Sequence, residues 1–269
     1  MRVILLTHGG AELVLEELGK LKNVEVVGVF IETVTTPNRP FKEKIKRSIR
    51  YDGYLETAKK LFAKVLRTKT TGEEEEIIVA SSRELTEETA KNLGVEVFNV
   101  ENYHHENALE LMRKADADLG IIYGTNIIKE NVFSIPRLGS INLHQGLAPY
   151  YRGGPPVFWE LFNDEKEVGL TVHFVASKVD TGDIILQKTV PLEYDFSFGD
   201  DFELFLEQYK NGLRTACAKM VAEAVDLIAS GDFPSIKQDT TLGKRYRLPI
   251  KKEKDEMRRK LKERVKGKR

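Results

Sequence analysis

The chain has 269 residues, 41% of them hydrophobic, which is enough to bury a substantial core. Lysine and arginine number 42, and aspartate and glutamate also number 42; this balance argues against a general nucleic-acid coat. The single cysteine, Cys217, supports neither a disulfide framework nor a cysteine-built zinc site, and it reads as a small buried core residue in a helix.

The opening stretch, "MRVILLTHGGAELV", holds an apolar run far too short to span a membrane. It also lacks a signal-peptide cleavage pattern, so the expectation is a cytoplasmic protein with no membrane partner. "VILLTHGG" reads as a strand closed by two glycines. "AELVLEELGKL" follows with helical spacing at Leu13, Leu15, Leu18 and Leu21, and "VEVVGVFI" is the next β-branched run. "THGGAEL" is neither GxGxxG nor a P-loop, so a tight strand-to-helix turn is favoured over a phosphate cradle. His8 sits where a cleft would open.

From Thr33 to Thr71 the sequence is basic and less regular, with room for one or two helices. A lid and a plain solvated connection are both compatible with it. "EIIVAS" then reads as a strand entered through the acidic run "EEEE". "ELTEETAKNLG", "VEVFNV", "NALELMRKA" and "DLGIIYG" continue as helix, strand, helix and strand. Such alternation predicts an α/β doubly wound, mostly parallel sheet of Rossmann-like type. "GLTVHFVA" and "DIILQKTVPL" follow as an antiparallel pair across the short "SKVDTG" interval. "DDFELFLEQYKNGLRTACAKMVAEAVDLIASG" is a long amphipathic helix stopped at Gly231. These features divide the chain into a catalytic domain over residues 1–231 and a short basic extension over 232–269. From Lys237 onward the extension carries 15 Lys and Arg against 5 Asp and Glu, a net of +10. It reads as a charged helix frayed into solvent, so truncation after Pro249 is expected to leave the rest intact.

The chemistry concentrates in "SINLHQGLAPYYRGGPPVFWELF", Ser140 to Phe162. Asn142 and His144, two residues apart, share one face of a strand. Asp180 lies in a "VDTGD" turn, and His173 lies near another strand end. His104 and His105 sit at the start of a helix, where surface or capping roles suffice, and no metal-ligand spacing is present. A neutral imidazole moves protons, an amide NH₂ donates to an oxygen that becomes negative, and a buried carboxylate biases the imidazole. No serine or cysteine stands at a nucleophile elbow. The set therefore suits direct acyl transfer to an external nucleophile.

The stretch "INLHQGLAPYYRGGPPVFWELFNDEKEVGLTVHFVASKVDTGDIILQ" resembles the formyltransferases that use 10-formyltetrahydrofolate. Their pattern is Asn-x-His, a loop with Leu-x-Pro and Arg-Gly, Gly-x-Thr-x-His, then Asp-x-Gly, and all of it is present in order. The resemblance implies Asn142 as oxyanion donor, His144 as a catalytic imidazolium and Asp180 as the group that keeps it charged. It implies that Asn126, Ile127, Ile128 and the backbone at Val179 hold the folate ring. His173, Tyr151 and Arg152 fall on the substrate side.

Two departures narrow the acceptor. "HQGLAP" puts Gly146 where the family often has serine, and "THGGAELVL" lacks the loop with which the purine-pathway members grip a phosphate. The expected acceptor is a small-molecule amine such as a nucleotide-linked aminosugar. A transfer-RNA acceptor is disfavoured, because the residues after the long helix are few for an RNA-binding barrel. Formyltetrahydrofolate hydrolysis and non-catalytic folate binding remain as alternatives.

Overall fold

The computed structural model describes residues 1–34, 40–65 and 71–267. The chain opens with β1 (Arg2–Thr7), α1 (Glu12–Leu18) and β2 (Glu25–Glu32), and three helices follow: α2 (Phe41–Asp52), α3 (Tyr54–Val65) and α4 (Thr71–Asn92). Next come β3 (Val97–Val100), α5 (Glu106–Lys114), β4 (Leu119–Tyr123), α6 (Glu130–Phe133), β5 (Ser140–His144), β6 (Tyr151–Arg152) and α7 (Phe158–Phe162). The chain ends with β7 (Glu167–Phe174), β8 (Ile184–Pro191), α8 (Phe202–Ser230), β9 (Lys244–Arg245) and α9 (Lys251–Gly267).

The main sheet has seven strands in the order β3-β2-β1-β4-β5-β7-β8. The first five are parallel, and β7 and β8 run antiparallel at the edge. The expected doubly wound architecture and its antiparallel pair are both present. The strand order turns back between β1 and β4, the position where open α/β sheets leave a crevice at the strands' carboxyl ends.

Central strands covered on both faces are apolar throughout, and their alternation feeds two cores. Val3 and Leu5 of β1 pack with α1 and α8. Ile4 and Leu6 pack on the other face with Leu109 and Met112 of α5. Cys217 lies fully buried in the first core, as its apolar neighbours predict. Gly231 closes α8 in the left-handed conformation, at φ 76°.

Two expectations need correction. "EIIVAS" is not a strand, because its backbone belongs to the 22-residue helix α4. Four apolar residues look like a buried strand, but the surrounding Glu, Ala, Leu and Lys favour helix. The helix is then held by tertiary contact, with Thr86 and Ala90, one turn apart, fully buried beside α1. The "EEEE" run is accordingly helical rather than a strand entrance. The connection from Thr33 to Thr71 forms α2 and α3, with residues 35–39 and 66–70 outside the described set.

His8 Nε2 lies 2.8 Å from the buried Glu32 carboxylate.

Second, the basic tail is not frayed. Met257 and Leu261 of α9 are buried with Phe158, Trp159, Phe202 and Phe205 in a third core. Its cations meet acids on the body: Arg258 with Glu203 at 2.5 Å, Lys262 with Asp200 at 3.1 Å, and Arg264 with Asp164. Near its start, β9 pairs with β6, and Arg152 reaches the Thr240 carbonyl at 3.1 Å. Truncation after Pro249 would strip two buried side chains from the third core. Leu261→Ala is expected to cost about 2–5 kcal/mol in denaturant unfolding, against roughly 0.5 kcal/mol or less for Lys252→Ala on the exposed face of α9. Equal effects would contradict the docked tail.

Candidate functional site

Strand β5 delivers Ser140, Asn142 and His144 to one face of the sheet, while Ile141 packs into the core on the other. The neighbouring strand β7 places His173 directly across from Asn142, with the Asn142 Nδ2 3.5 Å from His173 Nε2. That distance is too long to commit the amide, which stays able to donate elsewhere.

Asp180 closes the group. Its two oxygens lie 3.4 Å from His144 Nδ1 and 3.4 Å from His173 Nε2, and Oδ2 also accepts from the Gly153 amide at 2.8 Å. The residue sits at φ 51°, an uncommon backbone conformation outside glycine that the turn's contacts must sustain. Gly182, two residues on, passes so close to the Phe174 carbonyl that any β-carbon would collide with it.

Hydrogen bonding fixes the imidazole protons. His144 Nε2 donates to the Tyr151 carbonyl at 2.7 Å, and His173 Nδ1 donates to the Phe174 carbonyl at 2.7 Å. A neutral His144 therefore presents Nδ1 as an acceptor toward Asp180. Burial pushes His144 below its ordinary pKa, outweighing the upward pull of the Asp180 charge and the Tyr151 carbonyl. A shift in this direction favours the neutral ring. Burial alone would raise Asp180. The His173 bond, the charges of His144 and His173 and the Gly153 amide reverse that and hold it at about 2.

Beside this group lies a cavity of about 170 Å³. Asn126, Ile127, Ile128 and Val179 line it together with Asn142, His173 and Asp180, so the sequence-derived folate residues meet Asn142 and Asp180 there, while His144 lies outside the lining and is joined to it through Asp180. Ile122, Ile128 and Val175 supply its apolar lining, and Asn142, His173 and Asp180 its polar lining. Ile127 stands at the mouth, 66% exposed. Among the described residues, no cluster of histidine, cysteine, aspartate and glutamate is arranged to hold a metal ion.

Tyr151 and Arg152 are not brought into the group by their side chains. Tyr151 acts there through its carbonyl, while its hydroxyl donates to Glu165 at 2.7 Å and its ring stacks on Tyr246. Arg152 is buried, its guanidinium held by the Pro149 and Thr240 carbonyls. Residues that motif reading missed are Thr125 and the Val175–Ser177 stretch of the cavity wall, and the Gly153 amide. The sequence signal for the wall was its position just before "KVD". Gly146 is required as well, because a side chain there would strike the His144 ring and the Tyr151 carbonyl.

The first glycine turn is closed. The Gly9 amide donates to Thr7 Oγ1 at 3.0 Å, the Gly10 amide to the Ser82 carbonyl at 3.1 Å, and the Ala11 amide to Thr86 Oγ1 at 3.1 Å. The start of α1 therefore offers no free amide cradle at these three positions.

Comparison with known proteins follows the same lines. Residues 1–213 match the sequence model of a family described as formyl transferase. The chain belongs to the formyl transferase family. Among curated relatives, the methionyl-tRNA formyltransferase of Parabacteroides distasonis is 35% identical over 150 residues, 56% of this chain and 44% of that protein. The methionyl-tRNA formyltransferase of Chlorobium limicola is 32% identical over 155 residues, 58% of this chain and 46% of that protein. The matched stretch thus spans less than half the length of these relatives. Solved structures share the fold. Glycinamide ribonucleotide transformylase 1 of Symbiobacterium toebii has a TM-score of 0.56 at 19% identity, covering 88% of this chain and 94% of that one. A sugar N-formyltransferase of Shewanella sp. has a TM-score of 0.55 at 16% identity, covering 92% and 76%.

The depressed Asp180 gives a pH prediction. Folding favours its carboxylate, so the stability it contributes is present above about pH 4 and lost as pH falls toward 2. Asp180→Asn is expected to remove about 2 kcal/mol of that pH dependence. Unfolding curves measured between pH 2 and pH 5 check it, and parallel slopes for the variant and the parent would contradict the ion contacts.

Proposed function

We propose that this chain transfers a formyl group from 10-formyltetrahydrofolate to a small-molecule amine. The observation that carries the reading is the cavity walled by residues 125–128, where Asn142, His173 and Asp180 supply the polar lining and Asp180 ties His144 to it. The cavity suits a flat ring with a hydrogen-bonding edge, and the folate donor would supply the formyl carbon at its polar end.

The residues then divide the work. Asn142 Nδ2 donates to the formyl oxygen as negative charge builds there. As the amine nitrogen bonds to the formyl carbon, His144 Nδ1 accepts the proton that the amine loses, because its Nε2–H is already committed to Tyr151, and it returns that proton to the folate nitrogen as the bond between that nitrogen and the formyl carbon breaks. Asp180, ionised throughout, stabilises the imidazolium that forms and fixes the ring's orientation. Catalytic proton transfer thus starts from the neutral imidazole. Residues 1–231 carry this machinery, and residues 232–269 brace the loop that holds His144.

Two observations support a small acceptor. The glycine turn after β1 is closed, and several of the tail's cations are paired with body acids. An aminosugar is one such amine. A second reading, a transfer-RNA acceptor, is supported by the similarity to methionyl-tRNA formyltransferases.

The deciding experiment supplies 10-formyltetrahydrofolate with a panel of amines and follows gain of a formyl group by mass. Turnover is expected with a small amine, and formate release without any amine would instead indicate hydrolysis. His144→Ala and Asn142→Ala are each expected to lower kcat by about a hundredfold or more, with folate binding retained. Wild-type rates in both would sink the assignment. Because burial lowers the His144 pKa, the acid limb of kcat/KM is expected below pH 6.5, and a limb above that value would contradict the neutral-imidazole start. Acceptor binding is expected to weaken only slightly with salt. A steep slope with transfer RNA would favour the second reading.

A further inference from the structure

On the far side of Tyr151 from His144 the chain forms a second cavity, an open groove of about 500 Å³. One wall is the loop at Leu147, Tyr150 and Tyr151. The opposite wall is the tail at Thr241–Lys244 and Tyr246, and α7 and the β7–β8 edge supply Glu160, Glu165, Glu167 and Thr189. Its lining holds three carboxyl groups against one lysine.

Glu160 is the unexpected member. It is 3% exposed, yet no other residue bonds its carboxyl group among the described residues; only its own backbone amide does. It also faces the small gap beneath His144, which Tyr151, Trp159 and Tyr246 enclose. Burial, helped by the neighbouring Glu165 charge, pushes it up to about 7. A buried acid left without a counter-charge costs stability, and a cation arriving beside it would relieve that cost. The rest of the groove suits the same ligand. Glu165 and Glu167 stand exposed at its rim, and Tyr150, 46% exposed, offers a ring. The chain's own Lys244 already rests its ammonium 4.6 Å over the Tyr246 ring, showing the chemistry this wall accepts. The backbone that sets Glu160 in place is itself strained. Val157, a β-branched residue at φ 70°, starts α7 in the left-handed conformation.

We propose that this groove binds an organic ammonium group through Glu160 and Glu165, as the charged end of an acceptor that carries a second amine. Tyr151 links the two sites, since its carbonyl holds His144 and its side chain lines the groove. The placement of this cation on the acceptor rests on the formyl-transfer reading; the cation site itself does not.

The test uses the full-length protein and 1,4-diaminobutane, with pyrophosphate as the anionic control. Calorimetry is done without any formyl donor. Saturable diamine binding is expected in the parent and in Asn142→Ala. It should be at least tenfold weaker in Glu160→Gln and in Thr189→Lys, which places a cation on the exposed β8 edge of the groove and serves if the first variant misfolds. Equal affinity in a folded Glu160→Gln, no saturable diamine binding, or competition by pyrophosphate would overturn the site. Formylation is then compared between 1,4-diaminobutane and butylamine. A preference for the diamine that Thr189→Lys abolishes supports the acceptor placement, and equal rates overturn it. Absence of transfer to any amine, with Glu160-dependent binding retained, removes the transfer reading and leaves the cation site standing.

Discussion

One carboxylate organises the centre of this protein. Asp180 touches an imidazole from β5, an imidazole from β7 and an amide from the loop before α7. A charge so placed is costly to bury, and it persists because each of its oxygens has a donor or a partially positive ring within reach. The requirement propagates outward. The turn must hold Asp180 at positive φ, Gly182 must lack a side chain to pass the Phe174 carbonyl, and Gly146 must lack one to leave room for the His144 ring. The sequence around the site is thus dictated by the space the ion contacts leave.

Much of this was legible before any coordinates. The two-residue spacing of Asn142 and His144 follows directly from strand geometry, and the strand-end position of both follows from the loop that succeeds them. Gly231 and the helical pattern before it located α8 correctly, because a long amphipathic stretch and a capping glycine agree. The misreadings share a cause: local pattern competing with tertiary contact. "IIVA" is too short to declare helix or strand by itself, and only the burial of Thr86 and Ala90 against α1 decides it. The tail looked soluble because its charges outnumber its apolar residues, yet Met257 and Leu261, four apart, are enough to dock it. Tyr151 was placed on the substrate side by resemblance, yet it meets His144 through its carbonyl, which no residue-type argument detects.

The fold is shared with formyltransferases named for different acceptors, so an acceptor must be read from local detail. Here the distinguishing detail lies in what already occupies the backbone. Helix α4 lends the Ser82 carbonyl and the Thr86 hydroxyl to amides that begin α1. Arg214, from α8, pairs with Glu12 in the first turn of the same helix. The end of β1 is therefore occupied by the chain's own groups.

Helix α8 carries a mechanical consequence. Its 29 residues extend about 44 Å. Phe202, Phe205 and Leu206 at its beginning belong to the tail-side core, whereas Leu213 through Ile228 belong to the core under the parallel strands. A single unbroken rod thus has its two ends embedded in different clusters. Melting either cluster exposes part of the rod and removes a face from the other, so the two are expected to lose structure together, as one cooperative unit, and amide hydrogens along the rod to exchange at a common rate set by global unfolding.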